Sequence, residues 1–276
     1  GVAWERIVDW MILLFVVIQT LSSVAMILLL RPHGALWGRL EFPVFRQLLS
    51  FGGRVYVGNY ASGLLNQLDQ IMVNAFVGLA ALGAYNQAAS LAMKVWMVSA
   101  AIENSAYAPV SGADKENARA LTINLFRVTF WISIALIVVG WAMSPLIPLI
   151  YGAEFIPTVK PFILLILGTA VFGCGRMFSM YFTGNRKSPQ TLLALNWILL
   201  PVHANLCLWL IPPFGLMGAG LATTLTYTIS MVTLLVLFVR DGSRPSLRRL
   251  FVPQPEDWDR IKRIAGRALG RNGGRS

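Results

Sequence analysis

Residues 8–30 read VDWMILLFVVIQTLSSVAMILLL, an apolar run in which Asp9 is the one charged side chain. A helix needs about 20 consecutive apolar residues to cross the hydrocarbon core of a bilayer. The rest of the chain has the same character, because 56% of its 276 residues are hydrophobic and only 13% are charged. In soluble domains about a quarter of the residues are charged. We therefore predict an all-α integral membrane protein.

Similar apolar runs predict seven transmembrane helices, at residues 8–30, 51–76, 82–106, 121–143, 159–182, 192–211 and 216–239. The second is weak by hydropathy, because it contains SGLLNQLDQIMVNAF (residues 62–76), with one carboxylate and four amides. Clusters of Lys and Arg mark the cytoplasmic side, so an even number of crossings must separate successive clusters. Between Arg46 and Lys115 this rule demands two crossings, and residues 51–76 must therefore span the membrane.

The net charge of +11 follows from this topology and does not indicate nucleic-acid binding. Much of it lies in the tail, residues 241–276, after the last predicted span. Within that tail, WDRIKRIAGRAL places apolar side chains on one helical face, which is typical of an amphipathic helix on an anionic membrane surface. A disordered basic tail is the alternative.

No catalytic or metal-binding pattern competes with a membrane function. The chain has two histidines, His33 and His203, and two cysteines, Cys174 and Cys207, without metal-ligand spacing. The cysteines lie in apolar runs, where a thiol is most simply a small hydrophobic group. We predict no enzyme activity, no metal and no cofactor.

Polar side chains inside the spans are the candidate functional residues, because charges there usually face a bundle interior or a wet cavity. Lys94 is expected to be functional, on one face with Gln87 and Ser90. For Arg176, snorkelling and cavity lining remain equally open, and Glu103 is expected near the interface. The predicted substrate-binding set is Lys94, Arg176, Gln87, Asn66 and Gln70.

Asp69 is treated separately, because two roles are open to it. It could be the structural partner of a cation on a neighbouring helix, or a site that binds a coupling proton or sodium ion. Its face is expected to look into the bundle, because lipid would leave its polar side chains without partners.

Three stretches resemble the polysaccharide and oligosaccharide flippases of the multidrug/oligosaccharidyl-lipid/polysaccharide exporter superfamily. They are LLNQLDQIMVNAFVGLAALGAYNQAASLA (64–92), SPLIPLIYGAEFIPTVKPFILL (144–165) and LCLWLIPPFGLMGAGLATTLTY (206–227). The resemblance implies two six-helix lobes around a cavity that opens alternately to each side.

On this resemblance, residues 1–31 are the last helix of an N-terminal lobe, residues 32–50 a cytoplasmic linker, residues 51–240 the C-terminal six-helix lobe and residues 241–276 the tail. The chain begins with Gly1, and a fragment lacking most of the N-terminal lobe is expected. The implied location is the bacterial inner membrane.

The resemblance implies a flippase for a polyprenyl-diphosphate-linked oligosaccharide in polysaccharide biosynthesis. The implied partners are that lipid-linked substrate, membrane lipids and a glycan polymerase, with no nucleic acid among them. Two alternatives are a multidrug exporter of the same superfamily, which would need carboxylates in its cavity, and a structural membrane subunit without transport activity.

Overall fold

The computed structural model describes residues 2–30, 42–242 and 250–252. The chain forms two compact units, residues 1–54 and residues 55–276. Of the predicted linker at residues 32–50, residues 32–41 lie outside the described residues, as does the predicted amphipathic helix of the tail, and residues 42–50 are helical. Within the described ranges all regular structure is helical, as the composition predicts.

Nine α-helices and two short helical turns follow one another in the described ranges. They are α1 (Val2–Leu30), α2 (Phe42–Leu65), α3 (Leu68–Phe76), α4 (Leu79–Gly112), α5 (Lys115–Met143), α6 (Leu146–Tyr151), a 3₁₀ turn (Ala153–Thr158), α7 (Val159–Met180), a π turn (Tyr181–Asn185), α8 (Pro189–Phe214) and α9 (Leu216–Arg240).

Five described helical segments are long and apolar enough to cross a membrane: Asp9–Leu29, Lys115–Met143, Ala153–Asn185, Pro189–Phe214 and Leu216–Arg240. They match the first, fourth, fifth, sixth and seventh predicted spans. The count of seven is not confirmed, because no helix at the second or third predicted span is among these five.

The second predicted span is two helices rather than one. A turn at Asn66 and Gln67 separates α2 from α3. The third predicted span lies inside the 34-residue helix α4, which is about 50 Å long at 1.5 Å per residue. Both segments therefore form helices, and that they cross the membrane stays a prediction.

Local sequence explains where several helices begin and end. Asp114 caps the start of α5, where its carboxylate accepts a hydrogen bond from the backbone N–H of Asn117. Such a cap satisfies a donor that the first helical turn leaves free. Gly215 joins α8 to α9 with φ +55°, a backbone conformation that glycine adopts without steric cost.

Helix α7 is the centre of the second unit and contacts α4, α5 and α9. Small residues permit these close contacts. A Cβ at Gly168 would lie 2.9 Å from the Cα of Thr224 on α9, and one at Gly173 would meet the side chain of Ser99 on α4. Small residues at crossings are the usual basis of helix packing in membranes.

Candidate functional site

A polar cavity of about 310 Å³ lies among α7, α8 and α9, with α2 and α4 each contributing a residue to its wall. Seven of its lining side chains are polar or charged: Ser62, Glu103, Arg176, Ser179, Thr183, Asn196 and Ser230. Its volume falls at the lower end of the range for small-molecule sites. A cavity of this polarity inside an apolar helical bundle is able to hold water or a hydrophilic ligand.

Arg176 on α7 and Glu103 on α4 form a two-point ion pair at the cavity wall. The Arg176 Nε donates to Glu103 Oε2, and Nη2 donates to Oε1 at 3.0 Å. The arginine lies near the rings of Trp96 and Phe172, at 5.7 and 6.0 Å from their centroids. Arg176 therefore lines the cavity, and its charge is balanced by Glu103.

The sequence predicts Glu103 near the membrane interface and does not predict its ion pair. The Glu103 side chain is 10% exposed and pairs with a residue 73 positions away. The available signal was a carboxylate and a guanidinium in two different apolar segments, but nothing local to either segment says that they meet.

The polar face of α2 and the following turn contacts α8 and α9. Asn196 on α8 donates to the Ser62 hydroxyl at 2.6 Å. The Tyr227 hydroxyl on α9 donates to Asn66 Oδ1 at 3.2 Å, and the Tyr227 ring stacks on Phe172 at 4.5 Å. Ser62 therefore lies at the cavity wall. Asn66 is bonded to Tyr227, which packs against the cavity residue Phe172.

Asp69 is buried at the start of α3, away from the lining of the polar cavity. Its carboxylate accepts hydrogen bonds from the Tyr85 hydroxyl at 2.5 Å, the Thr223 hydroxyl at 3.0 Å and the Gln70 backbone N–H at 2.8 Å. These donors come from α4, α9 and its own helix. The expected inward orientation of Asp69 agrees with this burial, and the hydrogen-bond donors found for it are neutral groups.

A second polar pair lies between α8 and α9, close to Asp69 in the fold. His203 is buried, and its Nδ1 shares a hydrogen bond of 2.8 Å with the Thr226 hydroxyl. Its Nε2 lies 3.8 Å from the sulfur of Cys207. His203 is thus a satisfied core residue, and no group of three His, Cys, Asp or Glu side chains in the described part of the chain could hold a metal ion.

Lys94 lies elsewhere, in a mostly apolar groove between α4, α5, α6 and α7. Gln87 is half-buried on α4 and lines neither this groove nor the polar cavity, and Gln70 is half-buried on α3. The structure therefore does not bring the five predicted substrate-binding residues together. Their roles in substrate binding stay predictions.

Charged residues also converge at the end of the bundle where α5 begins and α9 ends. Asp241 lies 3.0 Å from Arg186, 3.4 Å from Lys115 and 4.0 Å from Arg119, and it accepts a hydrogen bond from Tyr181. Partial burial alone would raise the pKa of Asp241, but the Tyr181 bond and the charges of Arg186 and Lys115 outweigh it and lower that pKa.

The fold is similar to that of a MOP superfamily transporter from Pyrococcus furiosus, with a TM-score of 0.58 and 18% sequence identity. That protein is described as having a binding pocket of reverse polarity, which suggests a different function for it. The similarity covers 76% of this chain and 49% of the transporter, so this chain spans about half of its length. No curated protein matches the chain.

Residues 2–160, more than half of the chain, match the family described as "Polysaccharide biosynthesis protein". This match and the MOP transporter fold confirm the family predicted from the three motifs. The chain belongs to this family of polysaccharide biosynthesis proteins.

Proposed function

We propose that this protein is a flippase that moves a polyprenyl-diphosphate-linked oligosaccharide across the bacterial inner membrane. The observation that carries the proposal is the polar, charge-balanced cavity within an otherwise apolar bundle. The family and the transporter fold support the same activity.

The chemistry of the lining suits a neutral saccharide. Sugar hydroxyls both donate and accept hydrogen bonds, and the cavity offers hydroxyl groups, the Asn196 amide and the Arg176–Glu103 pair as partners. Phe172 adds an aromatic side chain to the same wall. Hydrogen bonds of this kind replace water around the sugar, which would otherwise make its passage through the hydrocarbon region costly.

The balanced charge of the polar cavity also favours a neutral saccharide over the cationic substrate of a multidrug exporter. A cationic drug needs a carboxylate that is free to pair with it. The carboxylate that lines the cavity, Glu103, is already paired with Arg176. We therefore assign the cavity to the saccharide.

Flipping can be measured on the protein reconstituted in liposomes with a fluorescent lipid-linked oligosaccharide, by the loss of fluorescence after an impermeant quencher is added outside. The Asn196→Leu variant removes an amide from the cavity wall. We expect it to slow flipping about fivefold, since the loss of one hydrogen bond costs roughly 1 kcal/mol.

The matched control is Asn205→Leu on the same helix. Asn205 is exposed and bonds to the carbonyl of Pro201 rather than to the cavity. The Asn205→Leu variant should therefore flip the lipid-linked oligosaccharide at the wild-type rate. Wild-type flipping no faster than in protein-free liposomes, or equal rates for the two variants, would refute the proposal.

A further inference from the structure

The apolar groove beside Lys94 is a second cavity, of about 380 Å³, with no residue in common with the polar cavity. Its walls come from α4, α5, α6 and α7. Most of its lining is aliphatic or aromatic, and includes Leu136, Val139, Met143, Ile147, Phe162 and Ile166. These side chains offer an apolar molecule a long contact surface and almost no hydrogen-bonding groups.

Among the described residues that line the groove, Lys94 alone is charged. It is exposed, and it has no hydrogen bond or ion pair with any residue of the described ranges. An ammonium group in the hydrocarbon region is costly unless an anion or water accompanies it. The groove therefore combines an unpaired cation with an apolar wall.

The position of Lys94 along α4 limits which anion can reach it. The helix runs from Leu79 to Gly112, so Lys94 lies 15 residues from one end and 18 from the other, about 22 and 27 Å at 1.5 Å per residue. The phosphates of bilayer phospholipids lie at the membrane surfaces, about 15 Å from the midplane of a 30 Å hydrocarbon core. With α4 crossing the membrane as the sequence predicts, Lys94 lies near the middle of the bilayer, and a phosphate that reaches it belongs to a lipid whose head group is being carried inward.

We propose that this groove binds the prenyl-diphosphate part of the lipid-linked substrate, with Lys94 paired to the diphosphate and the apolar walls holding the adjoining prenyl chain. The inference rests on the proposed flippase function, because that function supplies the lipid.

The test uses a sugar-free polyprenyl diphosphate with a diazirine in its first isoprene units, added to the protein in nanodiscs. After illumination, mass spectrometry locates the labelled peptides. We expect label on α4 around Lys94 and on the end of α5 and α6. Lys94→Gln should reduce it at least about tenfold, the effect of losing one charged hydrogen bond, and Lys94→Arg should retain most of it.

A matched pair on α5 tests the apolar wall without touching the charge. Val139 lines the groove, whereas the adjacent Val138 does not, and both are exposed. Val139→Trp should fill the groove and reduce labelling. Val138→Trp should label as the wild type does, which also controls for folding of a tryptophan variant.

Three results would overturn the inference. The first is undiminished labelling in both Lys94→Gln and Val139→Trp. The second is equal labelling of the groove by a diazirine phosphatidylglycerol, since an ordinary bilayer lipid would then be its occupant. The third is a wild-type protein that flips the lipid in liposomes but is not labelled in the groove. If the groove is labelled as expected but the protein does not flip the lipid in liposomes, the proposed function is refuted and the proposed groove site is not. If the protein flips the lipid but the groove is not labelled, the proposed groove site is refuted and the proposed function is not.

Discussion

Two carboxylates inside the second unit are stabilised in different ways. Glu103 is paired with a cation, and the pair contributes no net charge to the polar cavity. Asp69 instead accepts bonds from the hydroxyls of Tyr85 and Thr223. Because those donors come from α4 and α9, Asp69 ties three helices together whatever else it does.

This arrangement predicts that Asp69→Ala destabilises the protein by about 2–3 kcal/mol, because two buried hydroxyls lose their acceptor. Asp69→Asn keeps an acceptor oxygen and should be much closer to the wild type. Thermal unfolding in detergent measures both. Asn74→Ala is the control, since Asn74 is exposed on the same helix.

The coupling role considered for Asp69 predicts a different result. A coupling site would lose the dependence of flipping on the ion gradient in Asp69→Asn, at normal protein yield. If Asp69→Ala unfolds at the wild-type temperature, the structural role is wrong. Retained gradient dependence in Asp69→Asn would exclude the coupling role.

Among the elements, the end of α9 is held by charges from elsewhere in the sequence. Asp241 follows the last residue of α9 and pairs with Lys115 at the start of α5 and with Arg186 after the π turn. Arg119 donates to the carbonyl of Phe238 and lies over its ring, 4.3 Å from the centroid. These contacts connect three helix ends on one side of the bundle.

We predict that Asp241→Asn lowers stability by about 1–2 kcal/mol near neutral pH, because two partly exposed ion pairs and the Tyr181 bond are weakened. The pKa of Asp241 is lowered in the folded protein. Its contribution is therefore complete above the usual carboxyl range and is lost as pH falls through the lowered value. The melting-temperature gap between wild type and Asp241→Asn should be full at pH 6 and shrink below about pH 4.

Asp114→Asn is a matched control at the same end of the bundle. Asp114 caps α5 and accepts bonds from Asn117, and asparagine caps helices as well as aspartate does. Its melting temperature should stay close to that of the wild type. A gap for Asp241→Asn that does not depend on pH would contradict the electrostatic explanation.

For the molecule as a whole, the open question is whether α4 crosses the membrane. Its length is sufficient, but its polar residues keep it out of the set that hydropathy identifies. The Thr158 hydroxyl donates to the carbonyl of Ala84 at 3.0 Å. The start of α4 therefore lies at the same end of the bundle as the turn that precedes α7.

Single cysteines can decide this question. We expect Leu79→Cys and Glu154→Cys to react with an impermeant maleimide only from outside the cell, and Gly112→Cys only from the cytoplasm. The natural cysteines, Cys174 and Cys207, are 3% and 0% exposed, so their background reaction should be low. Labelling of Leu79→Cys and Gly112→Cys from the same side would show that α4 does not cross.

The sequence by itself determined the membrane class, the five most apolar helices and the family. These are local properties: the length of an apolar run decides whether a helix can span the hydrocarbon core, and a motif is read without knowing its neighbours. The same local logic failed to show the break between α2 and α3, because the polar residues at Asn66 and Gln67 are compatible with either a helix or a turn.

Only the tertiary structure decided which polar side chains meet. Arg176 lies 73 residues from Glu103, and Asp69 lies 154 residues from Thr223, so their pairing depends on how the helices pack around α7. The helical repeat predicts which residues of one helix share a face, but not which neighbouring helix covers that face. For that reason Lys94 and Arg176, which look alike as intramembrane cations in the sequence, lie in two separate cavities. Arg176 is paired with Glu103, whereas Lys94 has no ion pair within the described part of the chain.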